Sequence, residues 1–232
     1  LTDKPTSLGL PPVEIYRNDT TSTIVKSNLT HWQILKKYIF TNLNMWILAI
    51  SGIFVYFSFG FILDWSTLFM VSRGISKSKA AYLLSLLPFV GCFGGITGGI
   101  LIDKFFKGRA VPVIVIFLFG LFISFVGIYK FTTSTTAWWI IGFFLSLAGF
   151  FSDGPQILGS MVASNLVPTE SVGAGCGFVG LFHYIGTFLS GICIALIIEK
   201  WDWYGGFIIA SLSCLVAMLS TALIWNKEKT KI

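Results

Sequence analysis

Long apolar runs separated by short charged links dominate the chain from residue 45 onward. Six stretches are apolar enough to cross a bilayer: 45–71, 80–102, 111–129, 137–166, 172–198 and 204–225. About 20 apolar residues at 1.5 Å per residue are needed to cross the hydrocarbon layer. None of the runs alternates with period two, so a transmembrane β-barrel is excluded. Helices are then the remaining way to satisfy every backbone group in lipid. The third run is the shortest. The fourth is overlong, and Gly154-Pro155 predicts a break within it.

Residues 1–44 are a different material, rich in Pro, Thr, Ser and Asn with mixed charge. They read as a linker, with an amphipathic helix from Thr30 to Phe40 expected at the membrane surface. The expected organisation is a 1–44 cytoplasmic loop, a 45–225 six-helix bundle and a 226–232 cytoplasmic tail. Two N-x-[ST] triplets, at Asn18 and Asn28, fall in the first segment and read as chance.

Composition agrees with the pattern. Hydrophobic residues make up 55% of the 232 positions and charged residues 11%, with mean hydropathy +0.83. Soluble domains carry about 25% charged residues, so an integral membrane protein is the expected class. The net charge of +6 would suit nucleic acid, but the cations sit in the links between spans. They read as topogenic charge, with no nucleic-acid partner expected. With the N-terminus on one side, Lys4, Arg17, Lys26, Lys36, Lys37, Lys104, Lys107, Arg109, Lys227, Lys229 and Lys231 share that side. Arg73, Lys77, Lys79, Lys130 and Lys200 occupy the other. The excess predicts that both termini are cytoplasmic. The four cysteines (92, 176, 193 and 214) lie inside apolar runs, without metal-ligand spacing, and read as packing residues.

Few positions carry chemistry. GGILIDKFFKGRA, after the second span, places Asp103, Lys104, Lys107 and Arg109 in one tight link. An acid at a helix end beside a neighbouring helix N-terminus can latch two helices, and a plain topogenic loop is the alternative. Gly91, Gly95 and Gly99, with Gly94 and Gly98 in a second phase, suit close helix contact, as do Gly173 and Gly177. Asp153 and Gln156 stand near the middle of the fourth span. A carboxylate there either faces a cavity or partner or marks a re-entrant break. His183 and Tyr184 stand near mid-membrane on the fifth span, as ligand-facing groups or as packing residues. No nucleophile, paired-carboxylate, dinucleotide or phosphate-loop signature occurs, so neither an enzyme nor a cofactor or metal is expected.

Several fragments resemble one family. DKPTSLGLPPVEIYRND is similar to the central loop of the organophosphate:phosphate antiporters of the major facilitator superfamily. FVYFSFGFILDWS resembles their seventh helix, IDKFFKG their eight-to-nine loop, DGPQILG their tenth helix and GAGCGFVGLFHYIG their eleventh. The resemblance implies an all-α membrane protein, the C-terminal half of a twelve-helix carrier, as a fragment or completed by a partner chain carrying the N-terminal six-helix half. It implies a secondary carrier for an organic phosphate such as hexose phosphate or glycerol 3-phosphate. The carrier would exchange it for inorganic phosphate by alternating access in the inner membrane. A non-transporting sensor of sugar phosphate and an inactive fragment of a split gene are the alternatives. The implied cavity residues are Tyr56, Phe59, Asp153, Gln156, His183 and Tyr184, and the implied latch is Asp103, Lys104, Lys107 and Arg109. Two departures stand out. The family's phosphate-binding Arg on the seventh helix is Phe59 here, and Asp153 replaces an aromatic. A phenyl ring offers phosphate no donor, whereas a guanidinium grips it bidentately.

Overall fold

A computed structural model of the chain describes residues 9, 31–133 and 136–228. Apart from Gly9, the GLPP stretch, both N-x-[ST] triplets and the last four residues lie outside the described residues. The chain forms two compact units, Leu1–Gln33 and Ile34–Ile232. Only Gly9 and residues 31–33 of the first are described, and the helical bundle is the second.

No strand occurs among the described residues. A single α-helical turn, His31–Leu35, passes into a π-helical turn, Lys36–Phe40, where an amphipathic helix is expected. The bundle then comprises α1 (Leu43–Ser72), α2 (Lys77–Lys104), α3 (Val111–Phe131) and α4 (Trp138–Leu166). The last helical run, Val172–Ala222, is divided at Asp202 by a left-handed residue (φ 53°) into α5 (172–201) and α6 (203–222). The fifth and sixth spans are therefore separate helices, with almost no link between them. α1 to α4 and the run Val172–Ala222 are each long and apolar enough to cross a membrane.

The predicted break in the fourth span does not occur. α4 runs continuously through Gly154-Pro155. Pro155 offers no N–H to the carbonyl of Phe151. Both Gly154 and Pro155 are buried, with Gly154 against the ring of Phe117 on α3. Packing on a neighbouring helix compensates the lost bond, as membrane helices allow.

Glycine sets which helices touch. A Cβ at Gly94 of α2 would strike the backbone carbonyl of Phe150 on α4, and one at Gly149 of α4 would strike that of Leu87 on α2. The two helices thus meet backbone to backbone. Gly186 of α5 seats in the same way on Ile53 of α1. Gly173 and Gly177, expected to pack similarly, meet no described atom within 4 Å. Of the cysteines, Cys214 is buried in the core and Cys92 is exposed on α2.

The core is split in two. One apolar cluster, with Phe61, Phe69, Leu87, Phe125, Leu145 and Phe207 among its members, fills the end holding the α1–α2, α3–α4 and α5–α6 links. The other, with Met45, Ile102, Ile114, Phe117, Val162 and Val179, fills the opposite end. On α1 the boundary falls between Val55 and Phe57, on α4 between Ala148 and Leu158, and on α5 between Val179 and Ile194. Near that boundary, buried hydroxyls bridge helices. Ser51 Oγ donates to Ala217 O (3.1 Å) and pairs with the Thr221 hydroxyl, and Ser58 Oγ reaches Ala210 O at 3.3 Å. In lipid such groups need an internal partner, which these bonds supply.

Candidate substrate site at the midplane

Tyr56, Asp153 and His183 all fall in the layer between the two apolar clusters, near the middle of α1, α4 and α5. Here polar side chains stand among the apolar ones. The imidazole of His183 stacks on the Tyr56 ring, centroids 4.1 Å apart and planes 14° apart. The far side of the imidazole is wedged between Gly52 of α1 and Gly159 of α4. A Cβ at Gly52 would collide with its Nε2 edge, and one at Gly159 would lie 3.6 Å from Cε1. His183 is buried and ties three helices together through one ring. A small, mostly apolar cavity beside it is lined by Leu48, Val55, Ile114 and Pro155, with the hydroxyls of Ser51 and Thr221.

Asp153 projects from α4 onto Gly91 of α2, where any side chain at 91 would displace the carboxylate. Its Oδ1 lies 3.5 Å from the Ser152 hydroxyl. Every Lys and Arg between residues 43 and 222 stands in a link or within three residues of a helix end. Among the described residues of the bundle, the carboxylate therefore has no cation at its depth. Phe59 meets the Tyr56 ring edge-on at 6.4 Å and packs against the apolar cluster. Gln156 is half-buried and returns its amide to its own helix, Nε2 to Ser152 O at 3.3 Å. Tyr184 is 78% exposed and faces out of the described bundle.

The charged link after α2 has a different arrangement at its centre. Lys107 (φ 51°) and Gly108 (φ 83°) are left-handed, and Gly108 N donates to Ile102 O at 3.0 Å, closing the end of α2. Asp103, Lys104 and Lys107 are exposed, and Arg109 is half-buried. The acid at the α3 N-terminus is Glu228, from the segment beyond α6. Its Oε2 accepts from Ala110 N (2.8 Å) and Val111 N (3.1 Å), and its Oε1 accepts from Asn165 Nδ2 (2.9 Å) at the end of α4. The side chain is buried. A carboxylate on the free N–H groups at the positive end of a helix is favourable electrostatically as well as by hydrogen bonding.

Three residues central to these contacts, Gly52, Gly159 and Glu228, are not singled out by sequence reasoning. The glycines stand outside the four-residue repeats that draw attention to Gly91 and Gly98. Glu228 sits in a short polar tail that looks like solvated charge.

No family model matches the chain. It is 34% identical, over 97% of its length, to a probable hexose phosphate transport protein of Chlamydia pneumoniae. It is 33% identical over 98% of its length to the glycerol-3-phosphate transporter of Bacillus subtilis. It is 32% identical over 94% to the membrane sensor protein UhpC of Escherichia coli. These alignments cover 52%, 52% and 50% of the relatives, so the chain spans about half the length of the curated relatives it matches. In fold it resembles the POT family transporter PepTSo, with a TM-score of 0.69 at 16% identity over 82% of this chain and 38% of that one. One-third identity across nearly the whole chain, on a bundle of transporter fold, makes this chain a member of the organophosphate transporter family of the major facilitator superfamily.

Proposed function

We propose that the chain is the C-terminal six-helix half of a secondary carrier for organic phosphates, hexose phosphate or glycerol 3-phosphate, moved by alternating access in exchange for inorganic phosphate. The observation that carries this reading is the one-third identity to transporters of both substrates over 97% and 98% of the chain. In this reading the N-terminal six-helix half supplies the opposite wall of the cavity, and the substrate sits against the Tyr56, Asp153 and His183 layer near the midplane. Phe59 lines that wall beside Tyr56, with Gln156 and Tyr184 nearby. The link residues Asp103, Lys104, Lys107 and Arg109 act as a latch on the cytoplasmic side. Both termini are cytoplasmic and the membrane is the inner one. The excess of Lys and Arg on that side supports this orientation, and the resemblance to bacterial carriers supports the inner membrane.

The relationship to a membrane sensor supports a second reading, in which sugar phosphate binds without net movement. Proteoliposomes holding the complete carrier and loaded with inorganic phosphate separate the two. Saturable entry of labelled hexose phosphate or glycerol 3-phosphate, dependent on internal phosphate, is the expected result. Saturable binding without entry would establish the sensor reading instead.

A further inference from the structure

Tyr56 is held in place by contacts that all belong to this chain. The imidazole of His183 covers one face of its ring, 4.1 Å between centroids. Phe59, three residues further along α1, meets the same ring edge-on at 6.4 Å. The imidazole is itself enclosed. It is buried, a Cβ at Gly52 of α1 would overlap its Cδ2–Nε2 edge, and one at Gly159 of α4 would touch Cε1 at 3.6 Å. The spacing of the two helices is fixed beside the stack. Gly186, three residues after His183, meets the backbone of Ile53, three residues before Tyr56, with no room for a side chain between them.

A tyrosine side chain has several rotamers open to it. Stacking on an enclosed ring leaves Tyr56 one of them. A side chain ordered before its ligand arrives is spared the cost of ordering on binding, about two- to tenfold in affinity. The hydrogen bond it then gives to a charged phosphate is worth about ten- to a hundredfold. His183 contributes the first of these factors and the Tyr56 hydroxyl the second, so the first has no effect without the second.

We propose that His183 is a positioning residue of this carrier: its imidazole holds the Tyr56 ring in one orientation, so that the hydroxyl meets the transported organic phosphate already ordered. This rests on the organic phosphate reading above, which sets the substrate against this layer. The role asks for a flat ring at position 183 and makes no use of the ring nitrogens. Gly52 belongs to the same device, because a side chain there would push the imidazole off its place.

The test uses the complete carrier in proteoliposomes loaded with inorganic phosphate. Entry of labelled hexose 6-phosphate or glycerol 3-phosphate gives KM and maximal rate for each variant that elutes as a single species in detergent. Tyr56→Phe should raise KM about ten- to a hundredfold. His183→Ala should raise KM about two- to tenfold with little change in maximal rate, the signature of lost binding. In the Tyr56→Phe background His183→Ala should change KM by less than about twofold, because no hydroxyl is left to place. His183→Phe, flat but without nitrogens, should stay within about twofold of the wild type. Gly52→Ala should raise KM as His183→Ala does, and should add nothing once residue 183 is Ala.

A merely structural role for His183 would move the melting temperature and KM together in both backgrounds, and that result would overturn the proposal. So would a KM for His183→Phe as high as that of His183→Ala, which would make the ring nitrogens the ligand's partners. If His183→Ala does not fold, Gly52→Ala decides, since a wild-type KM there contradicts the assignment. Tyr56→Phe with a wild-type KM would overturn the proposal while leaving the carrier reading intact. Failure of every organic phosphate to enter or bind the wild type would overturn both.

Discussion

The imidazole of His183 lies flat on the ring of Tyr56, 4.1 Å between centroids and 14° between planes, although 127 residues separate them in the chain. The stack joins α1 to α5 at the boundary between the two apolar clusters, and Gly52 and Gly159 leave the imidazole just enough room from behind. A stack of this kind fixes α1 against α5.

Gly52 and His183 should be energetically coupled. Gly52→Ala places a methyl group where the imidazole edge lies and should cost about 1–3 kcal/mol, as overpacking of a filled interior does. In a His183→Ala background the same change should be nearly neutral, because the obstructing ring is gone. Thermal unfolding of the four proteins in detergent measures the coupling. Equal costs in both backgrounds would show that the contact does not form.

Glu228→Ala should leave Ala110 N, Val111 N and the Asn165 amide without their acceptor. The expected loss is about 2–3 kcal/mol, the cost of buried donors deprived of a charged partner. Hydrogen exchange should show Ala110 and Val111 opening faster, while amides in the middle of α3 change little. Asp103→Ala, at an exposed position, should leave both amides unaffected.

Gly94→Val and Gly149→Val should each force α2 and α4 apart, since no side chain fits between the two backbones. Each should cost on the order of 3 kcal/mol and reduce the yield of folded protein. Gly99→Val, with no atom within 4 Å of its Cβ position, should be tolerated. Size-exclusion profiles of the three variants make the comparison.

Phe59→Arg should introduce the donor that this chain lacks beside Tyr56. A bidentate guanidinium–phosphate pair contributes about 1.5–3 kcal/mol, so phosphate esters should bind about 10- to 100-fold more tightly. Titration of wild type and variant with hexose phosphate checks this. Unchanged affinity would place Phe59 outside the cavity.

The six spans were legible because lipid imposes a strong rule: about 20 apolar residues in a row, with the backbone bonded to itself. Where a second force competes, the run is harder to read. Gly154-Pro155 looks like a break because Pro155 withdraws a helical N–H, yet α4 continues through it, with Gly154 packed against Phe117 of α3. That contact is tertiary and leaves no mark on the local pattern. The α5–α6 division is nearly invisible to hydrogen-bond pattern and rests on one left-handed residue, Asp202. In the site, Asp153 and His183 stand out as polar groups in apolar surroundings, and Tyr56 is implied by the family resemblance. Their grouping, and the glycines that admit the His183 ring, depend on helix pairing that hydropathy does not encode. Glu228 escaped because its burial comes from a turn beyond α6 folding back onto α3.

The central claim is that this bundle forms half of a site for organic phosphates. The most direct measurement is thermal stabilisation of the complete purified carrier by hexose 6-phosphate, glycerol 3-phosphate, inorganic phosphate and free hexose. Selective binding to the folded state raises the melting temperature as ligand concentration exceeds Kd. Saturable stabilisation by at least one phosphate ester, competed by inorganic phosphate, with none by free hexose, is the expected result. Equal stabilisation by free hexose, or none by any phosphate ester at saturating concentration, would contradict it.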